Sequence, residues 1–105
     1  MKMLKDQVAI ITGAASGIGR AAALLYAHEG AKVVVSDVDE KQGNEVVDEI
    51  KKAGGQAMFF KADISSAEEN QKLVDAAIKE YGKLDIAVNN AGIGGPLAPT
   101  AEYPL

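Results

Sequence analysis

The chain has no cysteine, a single histidine and no excess of basic residues. Without cysteine there are no disulfides, no thiolate nucleophile and no thiolate-bound zinc. His28 has no second histidine or HExxH context around it, so no metal site is expected. Acidic residues outnumber Lys and Arg by 15 to 11, giving a net charge of -4, and Lys51-Lys52 is the only adjacent basic pair. That balance argues against a nucleic-acid surface, which needs clustered cations to neutralise phosphates. No apolar run approaches the roughly 18 residues of a membrane span. Residues 1–6 are too short and polar to lead a signal peptide. A cytoplasmic protein with no membrane partner is therefore expected. Proline is missing from the first 95 residues, and all three prolines, Pro96, Pro99 and Pro104, fall in the last ten.

What is present alternates. Short, near-continuous apolar runs occur at Val8–Ile11, Val33–Val35, Ala57–Phe60 and Ile86–Val88. This is the pattern of strands buried on both faces of a parallel sheet. Longer amphipathic stretches separate them. The first spans about Gly17–Glu29, with Ile18, Ala22 and Leu25 as its apolar stripe and Gly30 as its stop. The second spans about Glu40–Ala53, capped by Asp39, with Val46, Val47 and Ile50 facing inward. Gly43 weakens its first turn by about 1 kcal/mol relative to Ala. The third spans about Ala67–Tyr81. Ser65 or Ser66 caps it, each with a Glu three residues on, and Leu73, Val74, Ala77 and Ile78 supply the buried face before Gly82. The order βαβαβαβ with right-handed crossovers predicts an α/β, Rossmann-like doubly wound parallel sheet. Residues 1–95 form this unit, and 96–105 read as a Pro-rich loop.

The most informative stretch, Thr12-Gly13-Ala14-Ala15-Ser16-Gly17-Ile18-Gly19, follows the first strand and opens the first helix. A phosphate group needs backbone N–H donors without obstructing side chains, and a helix N-terminus supplies them. Gly13 suits the tight turn, Gly17 a close approach of pyrophosphate, and Gly19 close helix–sheet packing. A Walker loop is excluded because Arg20-Ala21 follow Gly19 where Lys and Ser or Thr are required. Asp37, at the end of the second strand, can accept hydrogen bonds from the adenosine ribose hydroxyls and would repel a 2′-phosphate. The alternative for Asp37 is a surface residue capping the second helix.

Together with Asp63-Ile64 after the third strand and Asn89-Asn90-Ala91-Gly92 after the fourth, these motifs resemble the short-chain dehydrogenase/reductase family. The resemblance runs from about Val8 to Gly95. It implies that Gly13, Ser16, Gly17, Ile18 and Gly19 surround the pyrophosphate and that Asp37 binds the ribose. It further implies that Asp63 and Ile64 contact the adenine, and that Asn90, Ala91 and Gly92 lie along the nicotinamide ribose. Asn89 is expected to be structural. Ser16 stands where NADP-preferring members often carry a basic residue, so NAD is favoured over NADP. The implied parent activity is hydride transfer between the dinucleotide and a small carbonyl or alcohol substrate, in a homo-oligomer.

The family's catalytic Tyr, with Lys four residues on, has no counterpart here. Gly30 and Asp85 stand four residues after Tyr26 and Tyr81, and Leu105 comes before a partner for Tyr103. No catalytic residue is therefore expected among these 105, which would bind cofactor at most. Two other readings remain: a non-enzymatic dinucleotide-binding or sensor module, and an assembly fragment that needs a missing half. In the strand order 3-2-1-4 the fourth strand becomes an edge. The expectation is then either a lost second half or association through that edge.

Overall fold

The apolar runs become strands, and their polar flanks lengthen them. The computed structural model of the chain describes residues 3–15, 17–62 and 66–89. Its elements are β1 (Val8–Thr12), α1 (Gly17–His28), β2 (Lys32–Asp37), α2 (Glu40–Lys52), β3 (Gln56–Lys61), α3 (Ala67–Tyr81) and β4 (Ile86–Asn89). Thr12, Ser36 and Lys61 extend the ladders beyond the apolar runs because pairing is made by backbone groups. All four strands are parallel, in the order β3-β2-β1-β4. This is the expected doubly wound α/β arrangement. Residues 90–105, which include the Pro-rich stretch, lie outside the described residues.

Because strand side chains alternate between faces, the sheet divides its core in two. Ala9, Ile11, Val33 and Val35 meet Ala23 and Ala27 of α1 and Val46, Val47 and Ile50 of α2. Ile10 and Val34 point the other way, onto Leu73 and Ala77 of α3. The inner strand β1 is buried along its whole length. Strand β3 departs from the expectation of two covered faces: Met58, Phe59 and Phe60 are only half-buried. It is an edge strand, so it has a sheet neighbour on one side alone.

The helix stripes need one correction. The buried residues of α1 are Gly19, Ala23 and Ala27, whereas Ile18 is 77% exposed and Leu25 57%. Small residues four apart bring this helix close to the sheet and leave the large apolar side chains on its flank. In α2 the expected Val46, Val47 and Ile50 are buried, and Gly43 joins them. A Cβ on Gly43 would lie 2.1 Å from Cε1 of Phe59, so the aromatic ring occupies the space that a side chain would need. In α3, Leu73 and Ala77 are buried and Val74 packs partly against them, while Ile78 is exposed. Asp39 caps α2 by accepting the Gln42 N–H at 3.0 Å. Ser66 caps α3 by accepting the Glu69 N–H at 3.3 Å, and the Gly82 N–H closes that helix onto the Ile78 carbonyl.

Candidate functional site

The carboxyl ends of parallel strands share one edge of the sheet. Strand β1 connects through α1 to β2 on one side and has β4 on the other. Ligands bind at such a switch point in open α/β sheets, because the diverging crossovers leave a crevice there.

The glycine-rich turn sits at that edge. Gly13 and Gly17 have φ of 63° and 60°, in the left-handed region that side chains disfavour. A Cβ placed on Gly17 would meet nothing within 4 Å, so the backbone is open on that side. Helix α1 begins at Gly17, and its first N–H groups have no acceptor within the helix. Gly19 is buried against the sheet. The mostly exposed Ile18 stands between the two glycines on the opening turn.

Asp37 ties this turn to the end of β2. Its Oδ2 accepts the Ala15 N–H at 3.0 Å, and its Oδ1 accepts the Asp39 N–H at 2.9 Å. The Ala14 N–H donates to the Ser36 carbonyl at 3.1 Å. Asp37 is therefore not the cap of α2, a role that Asp39 fills. A carboxylate offers about four lone-pair positions. Two are taken by these backbone groups, which leaves acceptors for a neighbouring diol. Thr12 Oγ1 donates to the Val88 carbonyl at 3.3 Å, linking β1 to β4 at the same edge. Ser36 Oγ is fully buried there and has no hydrogen-bond partner among the described residues.

Several of these features carry no obvious sequence signal. Ala14 and Ala15 act through their N–H groups, so side-chain chemistry does not single them out. Arg20, one turn into α1, forms an ion pair with Glu49 of α2. The implied contacts of Ser16, Asp63, Ile64, Asn90, Ala91 and Gly92 lie outside the described residues.

Neither described tyrosine is placed for chemistry at this edge. Tyr26 packs partly against the larger core cluster. Tyr81 lies toward the opposite edge, with Lys32 Nζ 5.8 Å from its ring centre. Burial, and next the Glu80 charge, push its hydroxyl above the usual phenol range. Among the described residues no group of His, Asp and Glu is arranged to hold a metal ion, and no helix is long and apolar enough to cross a membrane.

Known proteins match this arrangement. The family model described as short chain dehydrogenase matches residues 7–104. The chain is 53% identical over 93 residues to the 7alpha-hydroxysteroid dehydrogenase of Escherichia coli K12, an overlap covering 89% of this chain and 36% of that protein. It is 46% identical over 101 residues to an uncharacterized oxidoreductase of Listeria monocytogenes, covering 94% of this chain and 41% of that one. A solved structure of 7alpha-hydroxysteroid dehydrogenase complexed with NADH and 7-oxo glycochenodeoxycholic acid superposes with a TM-score of 0.84 at 53% identity, covering 89% of this chain and 36% of that one. A short chain dehydrogenase from Mycobacterium avium gives a TM-score of 0.85 at 40% identity, covering 89% and 35%. The chain thus spans little more than a third of the length of the curated relatives it matches.

Proposed function

The chain belongs to the short chain dehydrogenase family, and from that premise we propose that it forms the NAD-binding portion of an oxidoreductase acting on a carbonyl–alcohol pair. The observation that carries this reading is the hydrogen bond from the Ala15 N–H to Asp37 Oδ2. It fixes the phosphate-accepting turn and the diol-accepting carboxylate as one unit.

In this reading Gly13, Gly17 and Gly19, with Ser16, present backbone N–H groups to the pyrophosphate, and Ile18 lies over it. Asp37 accepts the adenosine ribose hydroxyls. Asp63 and Ile64 flank the adenine, while Asn90, Ala91 and Gly92 line the nicotinamide ribose. The residues present fit such a ligand. The space over Gly17 is open, and Asp37 keeps acceptor capacity. The bound dinucleotide supplies the hydride chemistry, and the protein contributes orientation and proton transfer. These residues provide the orientation. Gly30 and Asp85 stand four residues after Tyr26 and Tyr81, so neither of these tyrosines supplies the family's proton-transfer pair, and the part played by these residues is cofactor binding. The NADH held in the 7alpha-hydroxysteroid dehydrogenase structure supports NAD as the ligand, and the acidic Asp37 favours it over NADP.

Fluorescence titration with NADH and NADPH tests this. The wild-type chain binds NADH more tightly than NADPH, and Asp37→Ala weakens NADH by about ten-fold, the worth of a hydrogen bond to a charged group, so that the preference collapses. An unchanged preference in Asp37→Ala removes the role given to that carboxylate. No response to either dinucleotide removes the binding role of this chain.

A further inference from the structure

A second cleft, of about 300 Å³, opens beside the Asp37 corner. Ala15, Gly17 and Arg20 form one wall, and Gln42, Glu45 and Glu49 of α2 form the other. It begins at Ala15, the residue whose N–H is held by Asp37. A phosphoryl group added to a ribose hydroxyl that Asp37 accepts would therefore lie at the mouth of this cleft. The cleft already contains a cation suited to it, because an Arg guanidinium matches phosphate oxygens in a two-pronged fashion. That cation is engaged: the Arg20 guanidinium is paired with the Glu49 carboxylate. With Glu45 alongside, the charged lining residues sum to one net negative charge.

We propose that Glu49 determines cofactor specificity by withholding Arg20 from a 2′-phosphate. The inference rests on the dinucleotide-binding reading above and adds a second device to it. Asp37 repels the phosphate directly, and Glu49 occupies the group that would otherwise attract it. Both members of the pair are 44% exposed on their side chains. Such a pair is held only weakly against solvent, so one substitution suffices to release the arginine. Neither residue contributes to the buried core, and the NADH contacts assigned to the glycine turn and Asp37 do not involve Glu49.

The test is a titration of the full chain with NADH and with NADPH, for wild type, Glu49→Gln, Arg20→Gln and the double variant Glu49→Gln/Arg20→Gln. Glu49→Gln tightens NADPH relative to NADH by about five-fold, the upper range for an exposed ion pair, and leaves NADH within two-fold of wild type. The double variant loses this gain, and Arg20→Gln alone leaves the wild-type ratio of NADPH to NADH binding unmoved, which separates a withheld arginine from simple addition of charges. If wild type prefers NADH but Glu49→Gln leaves the ratio unmoved, or the double variant keeps the gain, the role of Glu49 falls and the binding reading stands. If wild type binds neither dinucleotide, both fall together.

Discussion

A methyl group at position 43 would meet the Phe59 ring at 2.1 Å, and the consequence opposes what helix propensity alone predicts. Gly→Ala inside a helix ordinarily gains about 1 kcal/mol. Here the ring must move, and overpacking costs about 1–3 kcal/mol. Gly43→Ala is therefore expected to lower stability by about 1 kcal/mol in urea unfolding, and adding Phe59→Leu is expected to restore part of the loss. A Gly43→Ala protein more stable than wild type would show that Phe59 yields freely. In the sequence Gly43 reads only as a weak helix position, because the ring that requires it lies in β3. The same blindness explains α1. A stripe chosen for size selects Ile18 and Leu25, whereas the residues against the sheet are Gly19, Ala23 and Ala27. Close packing needs small residues, and small residues leave little hydrophobic signal. The Asp37 carboxylate was legible by type and position. Its backbone partners Ala15 and Asp39 were not, since any residue supplies an N–H.

The elements were legible to within a residue or two, because each alternates sharply between apolar strand and amphipathic helix. What joins them was less so. At the start of β4, Asp85 Oδ2 accepts the Val8 N–H at 2.9 Å, and the Asp85 N–H returns to the Val8 carbonyl at 2.9 Å. Lys83 Nζ lies 3.1 Å from the same carboxylate oxygen. The Val8 N–H first, and then Lys83, hold the Asp85 carboxyl below the usual carboxylate range against the opposing effect of burial. A carboxyl whose folded pKa is depressed stabilises the fold above its unfolded pKa of about 3.9, and that stability is lost as pH falls through the lower folded value. Thermal melts at pH 7 and pH 3 should show it. Asp85→Asn is expected to cost about 1–2 kcal/mol at pH 7 and to lose less than wild type on acidification. Parallel acid losses in the two proteins would remove Asp85 from the pH dependence.

At the scale of the molecule, the described sheet has two edges, β3 and β4. One core cluster is built from two helices, and the other from α3 alone. Unpaired strand edges beside apolar side chains favour pairing with another chain. Light scattering on the eluting chain is expected to give a mass of at least two copies, and a stable single-copy mass would show that these edges tolerate solvent. The parallel order was readable from the sequence of elements, since crossover helices and handedness leave few alternatives. That order also has a consequence in time. Strand β1 is one of the two inner strands of the sheet, yet its partners at β4 stand 77 residues later, as the Val8–Asp85 bond marks. A chain growing at about 5–20 residues per second exposes one side of that inner strand for roughly 4–15 s before that partner is made. The newborn protein must therefore keep an inner strand of its sheet from pairing wrongly while most of the unit is still being made.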